Sequence, residues 1–217
     1  MDKHIVSNYD NDLYNLKNML IEMGVFLEKQ VFLAVELIKV SNDEIGQEIV
    51  QTEKKINLDE KKIREYATNT LSKRQPLADD LRKILISIKL ASTLERMGDH
   101  ACNIATRIAL AKTVPPSYTT DSVYRIGQAV IKIVSQALTS YDQSSEILAT
   151  GIKNEDKKVD LLYETCFREH LILMLEEPSQ IGYCTQMLFI AKELERIGDL
   201  SKNISKEVIY SINGKLI

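Results

Sequence analysis

The chain carries its own sequence twice, and few features constrain a fold more. Ala91-Ser-Thr-Leu-Glu-Arg-Met-Gly-Asp-His-Ala-Cys-Asn-Ile104 lies over Ala191-Lys-Glu-Leu-Glu-Arg-Ile-Gly-Asp-Leu-Ser-Lys-Asn-Ile204 at an offset of 100 residues, with Ala, Leu, Glu, Arg, Gly, Asp, Asn and Ile identical. Earlier in each half, Glu53-Lys-Lys-Ile-Asn57 lies over Asp156-Lys-Lys-Val-Asp160, offset by 103, and Pro76 over Pro178, offset by 102. A period this long is too large for a solenoid repeat and fits a duplicated domain. Pro115-Pro116-Ser117 near the middle reads as the linker, because Pro-Pro cannot continue a helix. The division falls between a first unit at 1–114 and a second at 117–217.

Each half must then build a core from about 100 residues with little punctuation. The whole chain holds only 8 Gly and 4 Pro, too few for the tight turns of a sandwich or barrel. The spacing of apolar positions such as Leu16, Leu20, Met23 and Leu27 is helical. Helices are expected near 13–41, 44–72 and 77–111, then near 120–148, 152–175 and 179–212. The breaks are placed at Ser41-Asn42-Asp43, which offers N-cap oxygens, at Gln75-Pro76, at Gly151 and at Pro178-Ser179. The expected fold is all-α: two tandem three-helix bundles related by internal pseudo-symmetry.

Charge and cysteine usage narrow the function. With 28 Lys+Arg against 31 Asp+Glu, the net charge is −3 and the pI about 5.7, which argues against a nucleic-acid partner held by a basic stripe. Acids stand at the N-terminus where a signal peptide needs an apolar run, and no apolar stretch approaches a membrane span. Cys102, Cys166 and Cys184 are odd in number without C-x-x-C spacing, as expected of reduced thiols in a cytoplasmic protein. Cys166 and His170, at i and i+4, are read as packed neighbours rather than as half of a zinc site.

The repeat also places chemistry. Glu95, Asp99 and Asn103 stand at i, i+4 and i+8, on one stripe of a helix, and Glu195, Asp199 and Asn203 repeat the pattern. Glu53 with Asn57, and Asp156 with Asp160, are i, i+4 pairs on the preceding helices. Each pair and its partner lie 17 to 19 residues either side of the proline, so an antiparallel hairpin brings them to the same height. Carboxylates meeting across helices repel and lose solvation. A cation resolves the conflict, and all-oxygen ligation favours hard or borderline ions such as iron, manganese, magnesium or zinc. The alternative is a solvated acidic face or salt bridges to Lys54, Lys55, Lys157, Lys158, Arg96 and Arg196. Arg96 and Arg196, each following the seam Glu, are expected to orient or neutralise neighbouring carboxylates. His100, with Leu200 as its counterpart, is expected to be packed or exposed. Gly98 and Gly198 stand inside helical segments, where glycine costs about 0.5–1 kcal/mol relative to alanine, and are read as allowing close helix packing.

The segments Lys73-Arg-Gln-Pro-Leu-Ala-Asp-Asp-Leu-Arg82, Leu-Glu-Arg-Met-Gly-Asp at 94–99 and Leu-Glu-Arg-Ile-Gly-Asp at 194–199, with Met23-Gly24 and Glu155-Asp-Lys-Lys-Val-Asp160, resemble the PhoU family over nearly the whole chain. The resemblance implies two pseudo-symmetric bundles, each able to hold a metal cluster of divalent or trivalent ions on paired E(D)-x-x-x-D motifs. Carried onto this chain, the positions are Glu53, Glu95 and Asp99, then Asp156, Asp160, Glu195 and Asp199. Asn57 departs from the motif, which calls for Asp, so weaker occupancy is expected in the first site. The resemblance further implies a cytoplasmic adaptor and negative regulator of phosphate uptake and of the phosphate-starvation response. Its implied partners are the phosphate transporter's ATPase subunit and a phosphate-sensing membrane histidine kinase at the inner face of the membrane, with a homodimer as the expected assembly. No enzymatic activity is expected: the ferritin-like Glu-x-x-His pattern fails, with Gly98 and Gly198 at the third position after each Glu, and no nucleophile–base pair or phosphate-cradling loop is present. A metal-dependent helical-bundle enzyme and a metal-free scaffold remain the alternatives.

Overall fold

The computed structural model describes residues 2–40, 42–73, 76, 78–111 and 117–215. Among them every regular element is helical. Helices α1 (Asp2–Leu37), α2 (Asp43–Lys73) and α3 (Ala78–Leu110) pack together, as do α4 (Ser117–Asp142), α5 (Glu146–Glu176) and α6 (Ile181–Asn213). Pairings of α1 with α4 and of α3 with α6 join the two bundles.

The burial pattern repeats with the sequence. Ile49, Ile56, Ile63 and Thr70 form the buried heptad of α2, and Ile152, Val159, Cys166 and Leu173 form that of α5, each displaced by 103 residues. A seven-residue spacing keeps one face turned toward the partner helices, since 3.6 residues per turn nearly divides it. In α3 and α6 the buried pairs Ala91/Ala191, Leu94/Leu194, Met97/Ile197 and Ile104/Ile204 follow the offset of 100. Leu16, Leu20, Met23 and Leu27 are all in the core, as their spacing predicts.

Most breaks fall where the sequence places them. Asn42 Oδ1 accepts from the backbone N–H of Glu44 at 2.8 Å and of Ile45 at 3.4 Å, starting α2. Pro178–Gln180 forms a short 3-10 turn before α6. Ser41, Gln75 and the Pro115-Pro116 linker lie outside the described residues.

Two expectations are corrected. The first helix begins at Asp2 rather than 13. Gly151 is no break: α4 ends at Asp142, and Ser145 caps α5 by accepting from Leu148 N. The turn is made by Ser144 at φ 49°, while Gly151 sits one turn into α5. There its missing side chain leaves room for Gln136 Nε2, 2.9 Å from where a Cβ would be, and that nitrogen donates to Leu148 O. A serine oxygen able to cap outweighed a glycine tolerated for close approach.

The α1–α4 contact is similarly close. A Cβ on Gly127 would fall 2.6 Å from Val35 Cγ1, so glycine is required there. Lys39 pairs with Asp121 at 3.1 Å and lies over the Tyr124 ring, whose hydroxyl donates to Glu36.

Candidate metal centres in two carboxylate seams

Each seam lies where a hairpin's two helices face one another: α2 against α3 in the first bundle, α5 against α6 in the second. In the first, Asn57 Nδ2 donates to Glu53 Oε1 at 2.7 Å, leaving the buried Asn57 Oδ1 without a hydrogen bond. Burial, then the charges of Asp99 and Glu60, push the Glu95 carboxyl above its ordinary value, against the pull of Arg64 and Arg96. Burial followed by the charges of Glu53 and Asp99 likewise pushes up the Cys102 thiol. Cys102 thus lies in the fields of Glu53 and Asp99, and Glu95 in those of Asp99 and Glu60. Glu60 is bonded to Arg64 and Asp59 to Lys55 and Lys62.

In the second seam Asp156 is 4% exposed. Lys202 Nζ donates to Asp156 Oδ2 at 2.5 Å and to Asp199 Oδ1 at 2.8 Å, so one ammonium ties α5 to α6. Burial works against the charge on Lys202, but the two carboxylates outweigh it and hold its pKa above the ordinary lysine value. Burial, then Asp156, Asp199 and Glu195 raise the Asp160 carboxyl, with Lys202 opposing. Lys192 Nζ stands 2.6 Å from Glu195 Oε2, an ion pair poorly aligned for a hydrogen bond, and that buried oxygen has none.

The structure therefore brings Glu53 with Asn57, Glu95 with Asp99, and Asp156, Asp160, Glu195 and Asp199 into two electrostatically coupled groups. Among the described residues no three His, Cys, Asp or Glu side chains converge on one point in the manner of metal ligands. Asn103 and Asn203 are exposed. Arg96 and Arg196 are exposed too, and among the described residues neither forms a hydrogen bond or ion pair with a seam carboxylate. Arg96 acts on Glu95 through its field, pulling the carboxyl down, and does not orient it by a hydrogen bond, because a side chain next to the seam residue points about 100° away around the helix. His100 is packed, with Nδ1 2.6 Å from Glu193 Oε2. Cys166 and His170 are packed neighbours, His170 Nδ1 lying 2.8 Å from Cys166 O.

The glycines differ. A Cβ on Gly98 would lie 3.0 Å from Oε1 of the buried Gln30, which spans from α1 to donate to Ile49 O. On Gly198 it would meet Asp156 and Val159 at an ordinary 3.7 Å.

Sequence reasoning missed Lys202. It sits three residues after Asp199, a helical ion-pair spacing, but its reach to Asp156 depends on how α5 packs on α6. Lys55 and Lys158, named as counter-charge, serve Asp59 and Glu155 instead.

No helix among the described residues is long and apolar enough to cross a membrane. The model of the PhoU domain family matches twice, at residues 20–108 and 123–208. A phosphate-specific transport system accessory protein PhoU homolog from Xylella fastidiosa strain Temecula1 is 35% identical over 212 residues, covering 98% of this chain and 88% of that one. The homolog from Clostridium acetobutylicum is 31% identical, covering 96% of each. The crystal structure of PhoU from Pseudomonas aeruginosa superposes with a TM-score of 0.91 at 34% identity, covering 95% of this chain and 100% of that one. The Streptococcus pneumoniae regulatory protein PhoU, 24% identical, shares the fold with a TM-score of 0.88 over 96% of this chain and 99% of its own. Two matches of the domain, one per bundle, place the chain in the PhoU family.

Proposed function

We propose that this chain is an accessory protein of phosphate-specific transport that restrains phosphate uptake and the phosphate-starvation response from the cytoplasm, with metal ions bound on its two seams. The observation that carries the role is the double match of the PhoU domain, together with relatives spanning nearly the whole chain that are named accessory proteins rather than enzymes. The adaptor's partners are the transporter's ATPase subunit, a phosphate-sensing membrane histidine kinase and a second copy of this chain.

The seam chemistry supports the metal part. The donors are carboxylate and amide oxygens, suited to hard or borderline cations. In the first seam the buried Asn57 Oδ1 has no hydrogen bond; in the second, Glu195 Oε2 has only the Lys192 ammonium as its partner, and the Lys202 ammonium already stands in a cation's place between two carboxylates. Glu53, Asn57, Glu95 and Asp99 would hold the first metal, and Asp156, Asp160, Glu195 and Asp199 the second. When bound, the metal supplies positive charge that clamps the two helices of a hairpin.

A second reading is a scaffold that needs no metal, and Lys202 favours it for the second bundle, since that seam carries its own cation. Deleting the gene in a strain with a phosphate-responsive reporter tests the role. Constitutive expression is expected; a reporter that stays silent in phosphate-rich medium refutes it. Elemental analysis of protein purified without chelator or affinity metal tests the clamp, and a metal-free protein leaves the scaffold.

A further inference from the structure

The pseudo-two-fold that relates the bundles runs through the α3–α6 crossing, and the side chains there identify it. Lys89 on α3 pairs with Glu207 on α6 at 2.5 Å; their equivalents, Phe189 on α6 and Arg107 on α3, also touch, with the guanidinium 4.4 Å from the ring centre. The two sides of the crossing are built differently. On one, Glu193 is bonded to His100 and lies 3.6 Å from Arg107, and Lys192 is held by Glu195. Cations there are largely spent.

On the other side lies a trough of about 630 Å³ between α2, α3 and α6. Arg64, Lys89, Arg96 and Lys206 line it against a single acid, Glu207, and Leu85, Ile88 and Leu200 form an apolar wall. Arg64 is tethered to Glu60 and Lys89 to Glu207. Arg96 and Lys206 are exposed, and among the described residues neither has a hydrogen bond or ion pair. Excess positive charge is thus gathered in one trough of a chain whose net charge is −3, and such a concave patch concentrates anions.

The layout selects among anions. Lys89 and Arg96 are seven residues apart, about 10 Å along α3, so the cations are strung along the trough and an extended anion meets more of them at once than a compact one. The walls are helix interiors whose backbone groups are satisfied within the helices, so an acidic peptide would find neither a strand edge nor a helix end to hold its main chain. A chain of phosphates carries charge on every unit, and arginine's planar fork matches phosphate oxygens in pairs. We propose that this trough binds an extended phosphate-bearing anion, an inorganic oligophosphate or the phosphate tail of a nucleotide, gripped by Arg96 and Lys206.

Calorimetric titration of the full chain in chelator at physiological ionic strength tests this independently of any metal on the seams. The probes are sodium tripolyphosphate, ATP, orthophosphate and an octaglutamate peptide. Tripolyphosphate is expected to bind, and Arg96→Gln and Lys206→Gln each to weaken it about ten-fold, the loss of one charge-assisted contact. Arg168→Gln, on the far face of α5, should leave it unchanged. Both groove side chains are exposed, and circular dichroism melts verify that the variants remain folded. ATP binding more tightly than tripolyphosphate assigns the apolar wall to a base and supports a nucleotide; equal affinity supports the inorganic chain. Absence of tripolyphosphate binding, equal losses in Arg168→Gln, orthophosphate bound as tightly as tripolyphosphate, or octaglutamate bound as tightly, overturns the assignment.

Discussion

The two seams come from one repeated sequence, yet they balance their charge in opposite ways. The first holds three carboxylates, Glu53, Glu95 and Asp99, with an amide at Asn57 that donates to Glu53. The second holds four, Asp156, Asp160, Glu195 and Asp199, with Lys202 bonded to two of them. Counting the seam acids and Lys202 alone, both come to a formal charge of −3, and Lys192, paired with Glu195, adds a further cation at the second seam. Position 102, the equivalent of 202, is a cysteine whose thiol is raised by burial and by neighbouring carboxylates. One copy has less repulsion because it holds one acid fewer, the other because it holds a base. Acid count alone favours metal in the second seam; the resident lysine opposes it there, so the two differ in where counter-charge sits.

The strongest way to break this comparison is to take the lysine away. Lys202→Met keeps the stem and removes the charge, leaving Asp156 buried without its partner, and should cost about 2–3 kcal/mol in chelator. Urea unfolding measures it, and manganese should restore part of the loss. A Lys202→Met protein as stable as the parent would show that Lys202 is not the counter-ion.

Metal content sharpens the contrast next. Asp99→Ala and Asp199→Ala should each lower bound manganese by roughly one site's worth at saturating metal, read by equilibrium dialysis and elemental analysis. Cys102→Lys, which gives the first seam the second's counter-ion, should weaken the first site without touching the other. Unchanged manganese in both alanine variants would remove the seams as metal sites.

The glycines predict opposite signs. Gly198→Ala meets only ordinary contacts and should stabilise by about 0.5–1 kcal/mol through helix propensity. Gly98→Ala pushes against Gln30 Oε1 at 3.0 Å, so it should lose that gain or destabilise by a similar amount. Thermal melts of the two variants decide the matter, and equal shifts would mean that Gln30 moves aside freely.

The smallest effect is in pH. Glu95 and Asp160 have carboxyl pKa values raised in the folded protein, so the fold binds their protons more tightly than the unfolded chain does. Their contribution favours folding below the ordinary carboxylate range and is lost as pH rises through their raised values. In chelator, Glu95→Gln and Asp160→Asn should each flatten the decline in stability just above that range. A slope identical to the parent's would remove the repulsion as a feature of either seam.

Much of this was legible along the chain because it depends on local spacing. The apolar stripe of Leu16, Leu20, Met23 and Leu27, the Asn42 cap and the pairing of Glu95 with Asp99 follow from 3.6 residues per turn and from which side chains can cap. The Gly151 break failed for an equally local reason: Ser145 offered a better cap, and glycine inside a helix can serve a neighbour's approach.

The sequence by itself determined that there are two copies, that each is a set of amphipathic helices, and that acids recur on facing stripes, since all three follow from residue order and helical period. Only the tertiary structure decided that Lys202 rather than Lys157 or Lys158 reaches Asp156. It also decided that Arg96 turns toward a trough instead of its neighbouring carboxylate, and that one side of the α3–α6 crossing is a basic groove while the other is taken up by Phe189, Arg107 and the Glu193–His100 pair. Long flexible side chains choose partners by how helices pack, and that geometry comes from contacts far apart in sequence.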